Sequence, residues 1–225
     1  MPVELSRLLA VERGITALIG SGGKTTAMYL LAEELSRWGT VICTTSTHIL
    51  VPSHLHTLVD PTPEDLSRAL AENSVVCTGS AAAEGKLTAP TLSWAILATL
   101  ADYVLVEADG AHRLPCKAHL PHEPVIPPET TQTILLVGAS GLEKPIQEAA
   151  HRPEVFCRLS GRKPGDPITP AALAAVIKAE ALGDKVLMNQ ADGPEEMAQA
   201  KILADLLPVP VFAGSLWKRS FLCLS

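Results

Sequence analysis

Short apolar runs alternate with helix-length segments along most of this chain, and the alternation constrains its fold more than any other feature. Runs without a polar face are typical of strands buried on both sides, as in parallel sheets covered by helices. The predicted strands are 15–20, 40–45, 74–78, 103–109, 133–137, 185–189 and 209–213, and the predicted helices are 24–38, 63–72, 91–101, 169–182 and 194–207. This order predicts a doubly wound α/β fold with a mostly parallel sheet and helices on both faces.

Two segments interrupt the alternation. Residues 81–89 are expected to form a small hairpin or a surface loop. Residues 110–131 are rich in proline and histidine and show no helical period. Because long irregular segments inside compact domains are more often functional than linking, we expect 110–131 to serve a site. The length of 225 residues suits one sizeable α/β domain, so we predict a single domain over residues 1–225.

The segment GSGGKTT, directly after the first predicted strand, is a candidate phosphate-binding loop. It is shorter than the common pattern G-x-x-x-x-G-K-[ST], which would need a glycine where Leu18 stands. Its context still fits, because glycines let successive N–H groups face one anion and the following helix adds its positive N-terminus. The alternative is an ordinary strand-to-helix turn. The predicted nucleotide-binding residues are Gly20, Ser21, Gly22, Gly23, Lys24, Thr25 and Thr26.

Two side chains of this loop have specific predicted roles. Lys24 is expected to reach the β- and γ-phosphates from a solvent-open loop, and the hydroxyl of Thr25 to ligate Mg²⁺. A carboxylate at the end of a neighbouring strand would complete the metal site, and Glu107 and Asp109 follow the apolar run 103–106. We predict that Glu107 holds the metal and that Asp109 orients a water or a substrate group. The alternative is a solvated acidic strand end.

The segment NQAD, after the predicted strand 185–189, is a candidate base-recognition element. Asn189 and Asp192 match the outer positions of the N-K-x-D element by which GTPases bind guanine, but Gln190 replaces the lysine. The alternative is a polar turn with Asp192 near a helix start. ATP and GTP therefore both remain candidate cofactors, together with Mg²⁺.

The histidine- and proline-rich segment continues directly from the acidic pair. Arg113, Lys117, His122 and Glu123 are therefore expected near the γ-phosphate or its acceptor. A zinc site built from His112, His119 and His122 is the alternative, but these residues lack the spacing of metal ligands. Contact with substrate or phosphate is the favoured interpretation.

Charge and composition limit the possible partners. The chain has 18 basic and 24 acidic side chains, a net charge of −6, which argues against a general nucleic-acid surface. No C-x-x-C pair occurs among the five cysteines. We see no signal peptide and no apolar run of the ~20 residues that a membrane span needs. We therefore predict a cytoplasmic protein that binds neither nucleic acid nor membrane.

Several of these segments together resemble the YqeC family. They are IGSGGKTT, VEADGA, LPCKAHLPHEPVIP, HRPEVF and ITP, and the resemblance extends over nearly the whole chain. Members of that family are described as accessory proteins of selenium-dependent molybdenum hydroxylases, assigned to selenium cofactor biosynthesis and to nucleotide binding through a P-loop. The resemblance therefore implies a P-loop NTPase fold and a hydroxylase, or its cofactor, as a partner.

The resemblance also assigns roles to residues. It implies phosphate-loop roles for Lys24 and Thr25, and it makes Glu107 and Asp109 the acidic pair; Lys117, His122 and Glu123 carry the loop signature. The chain departs from the family pattern at His112, Cys116 and Gln190. The predicted catalytic residues are Lys24, Glu107, Asp109, Lys117, His122 and Glu123.

The combined prediction is an accessory enzyme that hydrolyses a nucleoside triphosphate or transfers its phosphoryl group. Its predicted pathway is the maturation of a selenium-dependent molybdenum hydroxylase. Two alternatives stay open. One is a non-catalytic chaperone gated by nucleotide, and the other is a small-molecule kinase of an unrelated pathway.

Overall fold

The computed structural model describes residues 3–225. Its helices are α1 (Leu5–Leu8), α2 (Lys24–Leu35), α3 (Pro63–Glu72), α4 (Trp94–Leu100), α5 (Ile146–Ala149), α6 (Pro153–Ser160), α7 (Pro170–Glu180) and α8 (Pro194–Leu206). Its strands are β1 (Gly14–Gly20), β2 (Val41–Thr45), β3 (Ile49–Leu50), β4 (His56–Val59), β5 (Val75–Ala82), β6 (Lys86–Thr88), β7 (Tyr103–Glu107), β8 (Cys116–Lys117), β9 (Thr130–Gly138), β10 (Ala150–His151), β11 (Lys185–Asn189), β12 (Val211–Ser215) and β13 (Ser220–Cys223).

One large sheet forms the centre of the fold. Strands β12, β11, β9, β1, β7, β2, β5 and β4 lie side by side in this order and run parallel. Antiparallel strands extend the sheet at each end, with β13 beside β12 and the β6–β3 pair beside β5. Because all the parallel strands end at one edge, the segments that follow β1, β7, β9, β11 and β12 meet there.

Helices cover both faces of this sheet. Leu18 of β1 belongs to one buried cluster with Met28 and Leu31 of α2. Its neighbours Ala17 and Ile19 point to the other face and belong to a cluster that includes residues of α7 and α8. The alternation of side chains along a strand thus gives β1 two buried faces. The predicted doubly wound α/β fold, with a mostly parallel sheet and helices on both faces, is confirmed.

All seven predicted strands and all five predicted helices form. The helix 63–72 and the strand 185–189 have the predicted bounds, and the others have shifted ends. Helix α2 ends at Leu35 and not at 38, and β7 ends at Glu107, so that Asp109 lies in the following loop. Residues 81–89 form the predicted hairpin, in which Ala81 pairs with Leu87. Segment 110–131 is irregular apart from β8 and the start of β9. Helices α1 and α5, of four residues each, and α6, of eight, were not predicted. The N-cap residue of each makes no side-chain capping bond.

Candidate nucleotide-binding site

The glycine loop makes a tight turn between β1 and α2. Gly20 and Gly22 have φ angles of 87° and 82°, in a region that side chains other than glycine rarely adopt. A Cβ atom at Gly20 would lie 2.3 Å from the carbonyl oxygen of Leu136, and one at Gly22 would lie 2.4 Å from the backbone nitrogen of Gly138. The loop therefore needs glycine at both positions, since its backbone packs directly against the end of β9.

Lys24 lies folded against this loop, and the prediction of a solvent-open lysine is wrong. Its side chain is 4% exposed, and Nζ donates a hydrogen bond of 2.6 Å to the carbonyl oxygen of Gly20. Nζ also lies 3.1 Å from Oδ1 of Asp109 and 3.9 Å from Oε1 of Glu107. Two carboxylates attract the ammonium group out of solvent, so its charge is placed at the first turn of α2.

Thr25 and Glu107 form the candidate magnesium pair. The Thr25 hydroxyl donates to Oε2 of Glu107 at 2.6 Å. Burial raises the pKa of Glu107, although the nearby charge of Lys24 and the bond from Thr25 act in the opposite direction. Adjacent oxygen ligands of an octahedral Mg²⁺ lie about 2.9 Å apart when its bonds are ~2.0–2.1 Å long. The two oxygens are thus spaced closely enough to serve as neighbouring ligands.

Asp109 lies at the centre of a buried network of donors. Its Oδ2 accepts a hydrogen bond from the backbone N–H of Gly20 at 2.9 Å and lies 2.8 Å from Nε2 of His119 and 3.0 Å from Nζ of Lys117. Burial raises the pKa of Asp109, but the bond to His119 and the charges of Lys24, Lys117 and His119 outweigh it and lower the pKa to about 2. Asp109 is therefore ionised and ties the loop after β7 to the glycine loop.

His119 joins this network to helix α7. Nδ1 lies 2.8 Å from Oε2 of Glu180, whose Oε1 accepts a bond of 2.6 Å from the backbone N–H of His119. Burial lowers the pKa of His119, but its bonds to Asp109 and Glu180 outweigh burial and raise it. The ring therefore bridges two carboxylates. Glu180 was not singled out from the sequence, because it lies 61 residues away in a helix without a motif.

The predicted loop residues divide into two groups. Lys117 and Glu123 join the network, because Nζ of Lys117 lies 3.4 Å from Oε2 of Glu123. Oε1 of Glu123 in turn accepts a bond of 2.9 Å from Arg152, the arginine of the HRPEVF segment. His122 and Arg113 are exposed. Within residues 3–225, neither of them makes a hydrogen bond to another residue. The structure therefore brings Lys117 and Glu123, but not His122, to the carboxylates.

The histidine-rich segment also contacts the glycine loop directly. The hydroxyl of Ser21, which is fully buried, donates to the carbonyl oxygen of Leu114. Cys116 lies in the same segment, and burial raises its pKa to about 12. This thiol is protonated and packed against Gly141, so it lacks the low pKa of a nucleophilic cysteine. Within the described residues, no group of three or more His, Cys, Asp and Glu side chains is placed to hold a metal ion.

The NQAD segment also contacts the glycine loop. Nδ2 of Asn189 donates to the carbonyl oxygen of Gly22 at 2.7 Å, and its Oδ1 accepts from the backbone N–H of Leu216 at 2.9 Å. The side chain of Gln190 is bonded elsewhere, because its Oε1 accepts a hydrogen bond of 2.6 Å from the hydroxyl of Ser140. The carboxylate of Asp192 is half-exposed and lies 3.6 Å from a lysine ammonium group.

A cavity of about 880 Å³ connects the NQAD segment with the glycine loop. Gly23 and Thr26 line it beside the loop, and Asn189 and Asp192 line it at the end of β11. Most of the rest of its wall comes from residues of α2, from His54, Leu55 and Val75, and from the end of β12 with the turn that follows it. The volume is in the range of small-molecule and cofactor sites. Part of the predicted phosphate loop and the predicted base-recognition residues therefore border one continuous space. Lys24, Thr25 and Glu107 do not line it.

Comparison with known proteins found a similar sequence in Escherichia coli and a more distant similarity to a solved structure. The chain is 30% identical over 172 residues to the protein named "Uncharacterized protein YqeC" of Escherichia coli (strain K12), over 73% of this chain and 67% of that one. The crystal structure of signal recognition particle 54 kDa protein from Aeropyrum pernix K1 with GDP gives a TM-score of 0.43 at 16% identity, over 94% of this chain. The chain spans 44% of the length of that protein.

The family match lies over the amino-terminal part of the chain. The YqeC protein family matches residues 16–154, which contain the glycine loop, both carboxylates, the histidine-rich segment and Arg152. The NQAD segment and the residues after β12 lie beyond this match. No helix among the described residues is long and apolar enough to cross a membrane. The match over more than half of its length shows that the chain belongs to the YqeC family.

Proposed function

We propose that this chain is a single nucleotide-binding domain that binds a magnesium–nucleoside triphosphate and either hydrolyses it or transfers its γ-phosphoryl group. The observation that carries this proposal is the convergence of Lys24, Thr25 and Glu107 at a glycine loop. The ammonium group lies 3.9 Å from Glu107, whose carboxylate accepts the Thr25 hydroxyl at 2.6 Å. Phosphoryl transfer depends mainly on positioning and on the neutralisation of charge, and these residues are of the types that supply both.

Each residue has a distinct role in the proposal. The backbone N–H groups of the glycine loop and the first turn of α2 bind the phosphates, and Lys24 neutralises the β- and γ-phosphate oxygens. Thr25 and Glu107 hold Mg²⁺, which neutralises phosphate charge when bound. Asp109 accepts the N–H of Gly20 and pairs with Lys24, so it fixes both the loop and the cation. Lys117, His122 and Glu123 are proposed to contact the phosphoryl acceptor.

The pathway in the proposal rests on the family. Members of the YqeC family are described as accessory proteins for selenium-dependent molybdenum hydroxylases, so we place this chain in their maturation, in the cytoplasm. The partner would be the hydroxylase or its cofactor.

A nucleotide-gated chaperone is the second candidate function. Two contacts favour it. Ser21 of the glycine loop donates to Leu114 of the histidine-rich segment, and Gly20 donates to Asp109, directly before that segment. A nucleotide that moves the loop would therefore move this segment. Measured NTP turnover, with and without the hydroxylase or its cofactor, separates the two functions. An enzyme releases product in at least one of these mixtures, whereas the chaperone binds nucleotide and releases none.

The magnesium assignment predicts the behaviour of Glu107→Gln. The amide keeps the size of the side chain and removes the negative charge, so we expect Mg²⁺ to strengthen nucleotide binding about tenfold less than in the native chain. Titration calorimetry with ATP and GTP, with Mg²⁺ and with EDTA, measures this difference. Glu129→Gln is the matched control, because Glu129 is exposed next to the amino end of β9, at the opposite edge of the sheet. An equal magnesium effect in Glu107→Gln and in the control would remove Glu107 from the metal site.

The base assignment predicts the behaviour of Asp192→Ala. If Asp192 accepts the N1–H and amino group of guanine, its loss should weaken GTP binding by about 2 kcal/mol, since hydrogen bonds to charged groups contribute ~1.5–3 kcal/mol. ATP affinity should change much less. Asp205→Ala, at an exposed aspartate of α8, is the control. A native preference for ATP, or a GTP preference that survives Asp192→Ala, would show that NQAD is only a turn.

A further inference from the structure

Trp217 is an exposed indole that the proposed site does not use. The chain has three tryptophans, and aromatic residues make up 4% of its sequence. Trp217 is 93% exposed. This is the highest exposure among the large apolar residues on the surface of the part of the chain that the structure describes. An exposed indole at the edge of a concave site is a characteristic of ligand recognition, because its flat face binds a second ring at a small entropic cost.

The position of Trp217 connects it to the nucleotide site. It lies in the turn between β12 and β13, and it lines the same cavity as Gly23, Asn189 and Asp192. The residue before it, Leu216, is buried in the cavity wall and donates its backbone N–H to Asn189, which also holds the carbonyl of Gly22. The base of the turn is therefore joined to the glycine loop through one side chain.

The two residues after Trp217 hold the turn in place. Nζ of Lys218 donates to the carbonyl oxygen of Asp192 at 2.9 Å. Arg219 donates two bonds of 2.7 Å to the carboxylate of Glu33 on α2. These contacts fix the turn to the segment after β11 on one side and to α2 on the other. A braced turn loses little conformational entropy when a ligand binds, which favours affinity.

The NQAD segment by itself does not supply a surface for the face of a base. Gln190 has no long stem to cover a ring, and its amide oxygen accepts a bond from Ser140. Both amide atoms of Asn189 are already bonded to Gly22 and Leu216. Asp192 can contact only the edge of a base with its carboxylate.

A flat apolar surface is still needed. Tyr29 and His54 also line the cavity, but their rings pack edge to face against each other with centroids 4.8 Å apart. Trp217 is 93% exposed, so the face of its indole is open to a ligand.

We infer that Trp217 stacks on the nucleobase of the bound nucleotide, with the base in the 880 Å³ cavity and the phosphates at the glycine loop. This inference rests on the proposed function, and it identifies the ligand as a nucleotide whose base, and not only its phosphate chain, contributes to affinity. Stacking tolerates different bases, because every base has a π-face. The tryptophan therefore supplies affinity for adenine and guanine alike, and the choice between them depends on other contacts.

The test compares nucleotides with tripolyphosphate, which has the phosphates and no base. In titration calorimetry, Trp217→Ala should bind ATP and GTP about tenfold more weakly and bind tripolyphosphate as the native chain does. Trp217→Phe should restore most of the affinity, since a phenyl ring also stacks. Trp38→Ala is the control, because Trp38 is also exposed but lies under Arg7, outside the walls of this cavity.

Fluorescence gives a second measurement. The double variant Trp38→Phe, Trp94→Phe leaves Trp217 as the single indole, and its emission should be quenched by ATP and GTP but not by tripolyphosphate. Nucleotide affinity unchanged in Trp217→Ala would overturn the stacking and leave the proposed function intact. Equal losses for nucleotide and tripolyphosphate would also overturn it, because the residue would then support the fold of the loop. If the native chain bound neither nucleotide nor tripolyphosphate, the proposed function and the stacking would both be wrong.

Discussion

Replacing Lys24 with alanine is expected to weaken Mg–nucleotide binding at least about 100-fold, which corresponds to ~2.7 kcal/mol. Lys24 is the cation at the first turn of α2, and its Nζ lies 2.6 Å from the carbonyl oxygen of Gly20 inside the loop. Without it, the triphosphate charge would face Glu107 and Asp109 with no ammonium group between them. Titration calorimetry with ATP and GTP measures the loss.

The controls for Lys24→Ala must separate binding from stability, because Lys24 is also a buried partner of Asp109. Lys185→Ala is a matched variant, since Lys185 is a partly buried lysine that donates to backbone carbonyls at the opposite end of the sheet. It should lose stability and keep its nucleotide affinity. Both variants are compared at a temperature where circular dichroism shows them folded. If Lys24→Ala binds nucleotide as the native chain does, the loop is not a phosphate site.

Local patterns in the sequence were sufficient to predict the sheet, the glycine loop and the acidic pair. The strands are apolar along their length, and the helices have recognisable starts such as Thr62 before Pro63, so both depend on neighbours a few residues apart. Glu107 and Asp109 follow a strand whose carboxyl end must meet the loop in a parallel sheet. These predictions required only the period of the side chains and the topology of α/β folds.

The buried network could not be predicted, because its members meet only through the tertiary fold. His119 and Glu180 are 61 residues apart, and Arg152 and Glu123 are 29 apart. Solvent exposure of Lys24 was the natural expectation for a lysine in a loop, and it is wrong because two carboxylates from another strand end surround the ammonium group. No pattern in the sequence marks the turn after β12 either. Trp217 of this turn can be connected with a ligand only because the fold places it at the cavity.

The second large effect is expected for Asp109→Asn, as a loss of about 3 kcal/mol in the free energy of unfolding. Breaking a buried ion pair from one side typically costs 3–5 kcal/mol, because the partner is left uncompensated. Here Lys24, Lys117 and His119 would all lose their common carboxylate. The amide nitrogen of asparagine is itself a hydrogen-bond donor, and it would lie next to the donors that now bind the carboxylate. Urea denaturation at pH 6, followed by circular dichroism, measures the change.

Asp102→Asn is the matched control, because Asp102 precedes the same strand, β7, at its other end. Its carboxylate accepts bonds from Thr40 and pairs with Arg13 in a partly exposed position, so we expect a loss of no more than about 1 kcal/mol. A loss in Asp109→Asn no larger than in Asp102→Asn would show that the network around Asp109 contributes little to stability.

The pH dependence of the Asp109→Asn effect provides a separate test of the charge network. Because the pKa of Asp109 falls from 3.8 to about 2 on folding, its charge stabilises the native state above pH ~3.8 and loses this effect as the pH falls toward 2. The pKa of His119 is raised, so the stabilising effect of its protonated ring is complete below its ordinary value of 6.5 and is lost as the pH rises through the raised pKa. The difference in unfolding free energy between the native chain and Asp109→Asn should therefore be largest between about pH 4 and pH 6.5 and should shrink on both sides. A difference that stays constant from pH 2 to pH 8 would mean that Asp109 acts through packing alone, since only the ion pairs depend on these two titrations.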